Sequence, residues 1–166
     1  MPDANRIDFL RHLRPCVASR NGGTMQSDET MLKLIYKNAE MGRNTLQQII
    51  DVVKDNDLQY ELKREYEQYK AIYNIAAQRL RALNEHAKGI PQIKKLMTSA
   101  AVKMNLANDK TGSHIAEMVI QGSTTGMIDV IRQIKNYPTV TQENKALAQR
   151  LLVLEEGSIT SLKRYL

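Results

Sequence analysis

The chain contains little of what all-β and disulfide-stabilised proteins depend on. Its 166 residues include one cysteine, Cys16, no tryptophan, one phenylalanine, eight glycines and four prolines. A single cysteine excludes an intrachain disulfide framework and a zinc site built from cysteines. So few turn residues and aromatics disfavour a β-sandwich or a barrel, which needs many turns and aromatic strand residues. What remains is a chain of one domain's length whose composition suits helices.

Long apolar runs are also missing. No stretch approaches the roughly 18 residues that span a bilayer, so we expect no transmembrane segment. The opening MPDANRIDFLRHLRPC lacks the apolar segment of a secretory signal. We therefore expect a cytoplasmic protein.

Positive charge is in moderate excess, with 24 lysines and arginines against 18 acidic residues. Such an excess weakly favours anionic partners, but no nucleic-acid motif accompanies it, and we expect nucleic acid not to be the partner. One segment, 88–108, carries lysines and no acid, and it is the candidate anion patch. Its lysines are Lys88, Lys94, Lys95 and Lys103.

Apolar residues recur every three or four positions along four long segments, which is typical of amphipathic helices. The predicted helices are 28–54, 58–85, 113–137 and 141–165, with Ser27, Ser113 and Thr141 as N-caps. Short polar turns after the first and third helices predict two antiparallel αα-hairpins. Residues 1–25 are interpreted as a flexible or loosely docked extension, because Pro15 and the glycines at 22 and 23 would break a helix.

The two hairpins resemble each other, which suggests an internal repeat. A shift of 84 positions places Met41-Gly42 on Thr125-Gly126. Glycine inside a helix costs about 1 kcal/mol relative to alanine, and close approach of the first and third helices would explain both glycines. Residues 86–112 join the hairpins and contain a predicted helix at about 91–107. We predict an all-α, ferritin-like four-helix bundle over 26–166, whose crossover helix closes the bundle or docks on a membrane or acidic partner.

This architecture raises the question of a di-iron centre, which needs a Glu on each of two helices and Glu-x-x-His on the other two. The sequence lacks that set, so we predict no intact di-iron centre and no cofactor. If a reduced site exists, its metal would be iron, manganese or zinc, and its candidate ligands are Glu65, His114, Glu117 and Glu155. The simpler interpretation is that Glu65 and Glu155 pair with an arginine or reach the surface.

The middles of the first and third helices are unusually polar. The residues concerned are Asn38, Thr45, Gln121, Thr124, Thr125 and Asp129. Buried polar groups need hydrogen-bond partners, so this layer either fixes the register of the two helices or is the remnant of a ligand site. A dimer face built on Gly42 and Gly126 is a third interpretation.

Three stretches carry a resemblance to a known family: DETMLKLIYKNAEMG at 28–42, SHIAEMVIQGSTTGMIDV at 113–130 and RLLVLEEGSITSLKRYL at 150–166. From about Asp28 to Leu166 the chain resembles an uncharacterised bacterial family of ferritin-like four-helix bundles. The resemblance implies a small cytoplasmic helical protein with no established activity and no ligand residue to carry over.

Three functions remain open from the sequence. The leading one is a non-enzymatic helical binding or structural module that acts through its surface, as a homodimer with an unknown protein partner. The second is a metal-binding or redox carboxylate bundle. The third is an anion- or nucleic-acid-associated protein that uses the four lysines of 88–108.

Overall fold

The computed structural model describes residues 20–83 and 109–166, and within these ranges the chain is all-helical with no strand. The four helices are α1 (Arg20–Ile49), α2 (Asn56–Leu83), α3 (Gly112–Asn136) and α4 (Gln142–Leu162). Short 3-10 turns follow α1 (Ile50–Val52) and α4 (Lys163–Tyr165). The predicted all-α class and the four long helices are confirmed. The predicted crossover helix at 91–107, the four lysines of 88–108 and most of the extension lie outside the described residues.

The first helix differs most from its prediction. It begins at Arg20 rather than at 28, so residues 20–25 are its first turns and the glycines there do not break it. Ser27, the predicted N-cap, is buried inside the helix. Its hydroxyl donates to the carbonyl of Gly23 at 2.8 Å and lies 2.9 Å from the hydroxyl of Thr139. A tertiary contact therefore holds residues that local preference alone would place at a helix start.

Two further helix starts also differ from expectation. The N-cap of α3 is Thr111 rather than Ser113, and its hydroxyl accepts a hydrogen bond from the backbone N–H of His114 at 3.3 Å. Thr141 stands at the N-cap of α4 as predicted, but its side chain caps nothing. Its backbone N–H and its hydroxyl both donate to Oδ1 of Asp28, at 2.8 and 3.1 Å. The buried Asp28 thereby ties α1 to the start of α4.

The helices pack as two antiparallel hairpins side by side. α1 pairs with α2, α3 pairs with α4, and the hairpins meet through α1 against α3 and α2 against α4. At one end of the α2–α4 contact, Arg79 donates to the side chain of Asn144 at 2.9 Å, and at the other Arg164 donates to Glu61 at 3.2 Å. α2 and α4 therefore run antiparallel.

The directions of α2 and α3 follow from contacts at their ends. A Cβ at Gly112, where α3 begins, would lie 3.5 Å from Leu58 in the first turn of α2. The far end of α2, at Arg79, contacts Asn144 beyond the end of α3. These two helices are therefore parallel, and α2 ends at the opposite end of the bundle from the start of α3.

Large aliphatic side chains fill the interior, as the apolar periodicity predicts. The fully buried ones are Met31, Leu32, Ile35, Leu46, Ile49, Leu58, Leu62, Ile72, Leu80, Ile115, Leu151 and Leu162. Each contributes about 1.5–3 kcal/mol by leaving water. None of the helices in the two described ranges is long and apolar enough to cross a membrane. The buried polar side chains that interrupt this apolar interior mark the candidate site.

Candidate functional site

Two glutamates are buried among the aliphatic side chains. Glu65 on α2 and Glu155 on α4 are each only 2% exposed. The simpler interpretation from the sequence, that they pair with arginines or reach the surface, is wrong. Arg64 instead pairs with Glu61 at 2.7 Å, and Arg79 binds the α4 backbone at the carbonyl of Glu143. Burial without a cation is costly for a carboxylate, so the surroundings of each group decide its protonation.

Glu65 belongs to a short chain of hydroxyl groups between α2, α3 and α4. Ser158 donates to its Oε2 at 2.9 Å, and Ser123 donates to Ser158 at 3.4 Å. Its Oε1 is buried without a hydrogen-bond partner among the described residues. Burial raises the pKa of Glu65 to about 7, although the bond from Ser158 acts in the opposite direction. Near neutral pH this group is therefore partly protonated.

Glu155 is the less well partnered of the two. Its Oε2 is buried and has no hydrogen-bond partner in the described part of the chain. Burial raises the pKa of Glu155 to about 8, and the negative charge of Asp129 contributes in the same direction. The carboxyl group is thus largely protonated at pH 7, and a cation placed beside it would stabilise its ionised form.

A glycine stands opposite each of two polar side chains at the hairpin interfaces. A Cβ at Gly126 of α3 would collide with Oε1 of Glu155 and lie 3.0 Å from its Cδ. A Cβ at Gly42 of α1 would lie 2.7 Å from Cε1 of Tyr69. The predicted repeat of glycines thus has a physical reason, but not the predicted one. Each glycine makes room for a side chain of its own hairpin partner, rather than for close approach of α1 and α3.

Tyr69 is 4% exposed and lies near both glutamates. Burial raises the pKa of its phenol, the negative charge of Glu155 raises it further, and a hydrogen bond with Ser123 opposes the shift. The phenol therefore stays protonated at all ordinary pH values. It serves as a neutral donor and acceptor next to the two acids.

A cleft of about 450 Å³ opens between α1 and α3. Tyr69 and Glu155 line it from the second helix of each hairpin, and Gly42 and Gly126 line it opposite them. The remaining polar lining comes from α1 and α3. It consists of Lys37, Asn38, Thr45, Thr125 and Asp129. The volume falls within the range of small-molecule pockets, about 300–1,000 Å³.

The cleft gathers most of the polar layer that the sequence singles out. Four of its six residues line the cleft, and Asn38 donates across it to the carbonyl of Gly126 at 3.3 Å. The other two do not face it. Gln121 is exposed and donates to Glu117 at 3.1 Å, while Thr124 donates to the carbonyl of Ile120 in its own helix.

The four candidate metal ligands do not come together. His114 lies in the first turn of α3, twelve residues before Gly126, which is ~18 Å along the helix axis. Glu117 is exposed. Within 20–83 and 109–166 no three His, Cys, Asp or Glu side chains are grouped so as to hold a metal ion. The described residues therefore do not fit a di-iron centre, which needs four carboxylates and two imidazoles.

Sequence reasoning missed the part that Tyr69 and Gly122 play in the cleft. In the sequence, Tyr66, Tyr69 and Tyr73 share one face of the second predicted helix, which is typical of core packing, and Gly122 is one more helical glycine. The signal that points to the cleft is the matched position of Gly42 and Gly126, since a glycine at the same place in two hairpins indicates a bulky neighbour. The identity of that neighbour depends on the packing of the second helix.

Comparison with known proteins adds no relative. No family model matches the chain, no curated protein matches it, and no solved structure matches it.

Proposed function

We propose that this chain is a non-enzymatic binding module that holds a small molecule in the cleft between α1 and α3. The observation that supports this is the cleft itself, which is lined by two buried polar side chains, Tyr69 and Glu155. Each has space there because the facing residue of the neighbouring helix is a glycine. A concave site with an apolar lining and a few convergent polar groups is the usual form of a small-molecule site.

A binding role is favoured over a catalytic one by the surroundings of Glu155. A general acid or base is normally oriented by a second group within hydrogen-bond reach, and the described residues place none at its Oε2. His114, the one imidazole in the described ranges, lies ~18 Å away along α3.

Ferritin-like topology is part of the proposal. Its support is the parallel course of α2 and α3, which leaves the chain between them to join opposite ends of a bundle ~40 Å long. A connection that returns along the bundle is the feature that distinguishes this topology from an up-down-up-down bundle.

The cleft can be tested by blocking it. Gly122 lines the cleft with nothing within 4 Å of an added Cβ, so Gly122→Leu extends a side chain there without a clash at Cβ. Gly157 on α4 is equally open but does not line the cleft, so Gly157→Leu is the matched control. A small-molecule fragment library is screened by ¹H–¹⁵N NMR of the full chain. We expect fragments to shift the amides of Gly42, Val119 and Gly126 in wild type and Gly157→Leu, and not in Gly122→Leu. A library that shifts none of these amides, or shifts them equally in Gly122→Leu, contradicts the proposal.

The predicted homodimer and protein partner remain predictions with their own test. Light scattering coupled to gel filtration separates a dimer from a monomer of 18.9 kDa. If Gly42 and Gly126 formed the dimer face, Gly122→Leu would also shift the molecule toward the monomer. The cleft proposal expects the same oligomeric state for Gly122→Leu and wild type.

A further inference from the structure

We infer that the cleft between α1 and α3 binds a protonated organic amine with a short apolar chain, and that Glu155 is its counter-ion. This rests on the proposed function and adds the chemical class of the ligand. Three lines support it: the charge of the cleft, the apolar part of its lining and the number of ligand atoms it offers.

The inner end of the cleft is formed by a buried acidic side chain. Glu155 is 2% exposed with an unpartnered Oε2, and Asp129 on α3 lines the same space. The cation in the lining, Lys37, is exposed on the surface of α1. The side chain of Asp129 is 46% exposed, and its carboxylate lies 4.0 Å from Arg132. An ammonium group in the cleft would supply the donors that the buried Oε2 of Glu155 lacks, whereas an anion would lie close to both acidic side chains.

Aliphatic and thioether side chains supply the rest of the lining. Met41 and Leu46 contribute from α1, and Met118 and Val119 contribute from α3. Methionine side chains adapt to ligands of irregular shape. A ligand that joins a charged head to an apolar chain therefore suits this cleft better than a compact polar ion.

A bare metal ion fits less well than an amine. Ions such as zinc take four protein or water ligands in fixed geometry, and no group of three ligating side chains occurs in 20–83 and 109–166. An ammonium group needs only acceptors in its neighbourhood. Glu155 and Asp129 offer carboxylate oxygens, and the hydroxyl groups of Thr45 and Tyr69 also line the cleft.

Binding is coupled to proton release. Burial keeps the carboxyl group of Glu155 largely protonated near neutral pH, so the incoming ammonium displaces that proton to solvent and leaves an ammonium–carboxylate pair. Affinity for the amine is therefore expected to rise as the pH is raised toward 8. The other ionisable groups that line the cleft are Asp129 from α3, Lys37 from α1 and Tyr69 from α2.

The test compares three probes of equal length: hexylamine, 1-hexanol and hexanoate, measured by isothermal titration calorimetry at pH 7.5 with the full chain. We expect hexylamine to bind at least about tenfold more tightly than 1-hexanol, which corresponds to ~1.4 kcal/mol, and hexanoate to bind least. Glu155→Gln should remove the preference for the amine while keeping the shape of the cleft. Glu156→Gln, the exposed neighbour on α4, should leave the preference intact.

The outcomes separate this inference from the function on which it rests. If 1-hexanol binds as well as hexylamine and Gly122→Leu abolishes both, the cleft is a binding site and the amine inference is overturned. If Glu155→Gln retains the amine preference, Glu155 is not the counter-ion and the inference is also overturned. If hexylamine fails to bind at all, the inference is overturned, and the fragment screen decides the proposed function independently.

Discussion

Gly126 and Glu155 are in direct contact, with the carboxyl group of Glu155 occupying the space that a side chain at 126 would fill. The relation repeats in the other hairpin, where Gly42 accommodates the ring of Tyr69. In both cases a glycine on the first helix of a hairpin lets the second helix present a buried polar group to the same cleft. In each hairpin, the absence of a side chain on the first helix thus leaves room for a buried polar side chain of the second helix.

Gly42→Ala should destabilise the fold, because its Cβ would stand 2.7 Å from the rigid and buried ring of Tyr69. Overpacking of this kind costs about 1–3 kcal/mol. Gly122→Ala is the matched control. It lies in open space in the neighbouring helix and should stabilise the protein by about 1 kcal/mol through helix propensity. Urea unfolding measures both, and equal effects from the two variants would refute the close contact at Gly42.

Gly126→Ala should affect the ligand more than the fold. The atoms in its way belong to the carboxyl end of Glu155, which can rotate about its side-chain bonds more readily than a tyrosine ring can move. We expect stability within about 1 kcal/mol of wild type, since the gain in helix propensity offsets part of the strain. Hexylamine affinity should fall by about tenfold, because the counter-ion is displaced. Calorimetry on this variant beside Gly157→Ala, which is open and lies outside the cleft, checks it, and unchanged affinity would show that the position of Glu155 does not matter.

The stability of the protein should fall as the pH rises from 5 to about 8.5. Burial raises the pKa of Glu65 to about 7 and that of Glu155 to about 8, above the ordinary value of 4.5 for an unfolded chain. Between these values the folded state binds more protons than the unfolded state, so the free energy of unfolding decreases with increasing pH, on the order of a few kcal/mol.

Glu65→Gln combined with Glu155→Gln removes both titrations. The double variant should show a much flatter profile over this pH range and should exceed wild type in stability at pH 8.5. Urea denaturation at several pH values measures the slope. A wild-type curve that rises between pH 5 and 8.5, or a double variant with the wild-type slope, is incompatible with buried neutral carboxyl groups.

Asp28→Ala should loosen the start of α4. Asp28 accepts hydrogen bonds from the backbone N–H and the hydroxyl of Thr141, and its loss leaves the N-terminus of a helix without this acceptor. We expect a loss of about 1–3 kcal/mol for Asp28→Ala and a smaller one for Asp28→Asn, which keeps the accepting oxygen. Glu29→Ala, which removes a surface pair with Lys33, should cost at most about 1 kcal/mol. Hydrogen exchange at the Thr141 amide localises the effect. Equal losses for Asp28→Ala and Glu29→Ala would refute this role.

The sequence predicts the helices well because their pattern is local. Leu58, Leu62, Glu65, Tyr69 and Ile72 recur at three- and four-residue steps, and all five are buried on α2. The same periodicity places Glu65 and Glu155 within apolar stripes, so both candidate acids are identifiable from the order of residues alone.

The features that the sequence does not predict depend on distant partners. Serine is a residue type that favours the N-cap, yet Ser27 lies within α1, where its hydroxyl contacts that of Thr139, 112 residues away. The sequence also does not show which side chains contact Gly42 and Gly126, since the side chain that fills the space beside each glycine comes from another helix. The cleft results from that packing and has no local signature.

The most direct test of the account is the carboxyl ¹³C NMR titration of Glu155 in the full chain, with and without hexylamine. The resonance is assigned with Glu155→Gln. A buried, unpartnered counter-ion predicts a midpoint near pH 8 in the free protein, as its raised pKa requires, and a midpoint at least one unit lower when the amine is bound. A midpoint near 4.5 in the free protein, or one that hexylamine leaves unchanged, would contradict it.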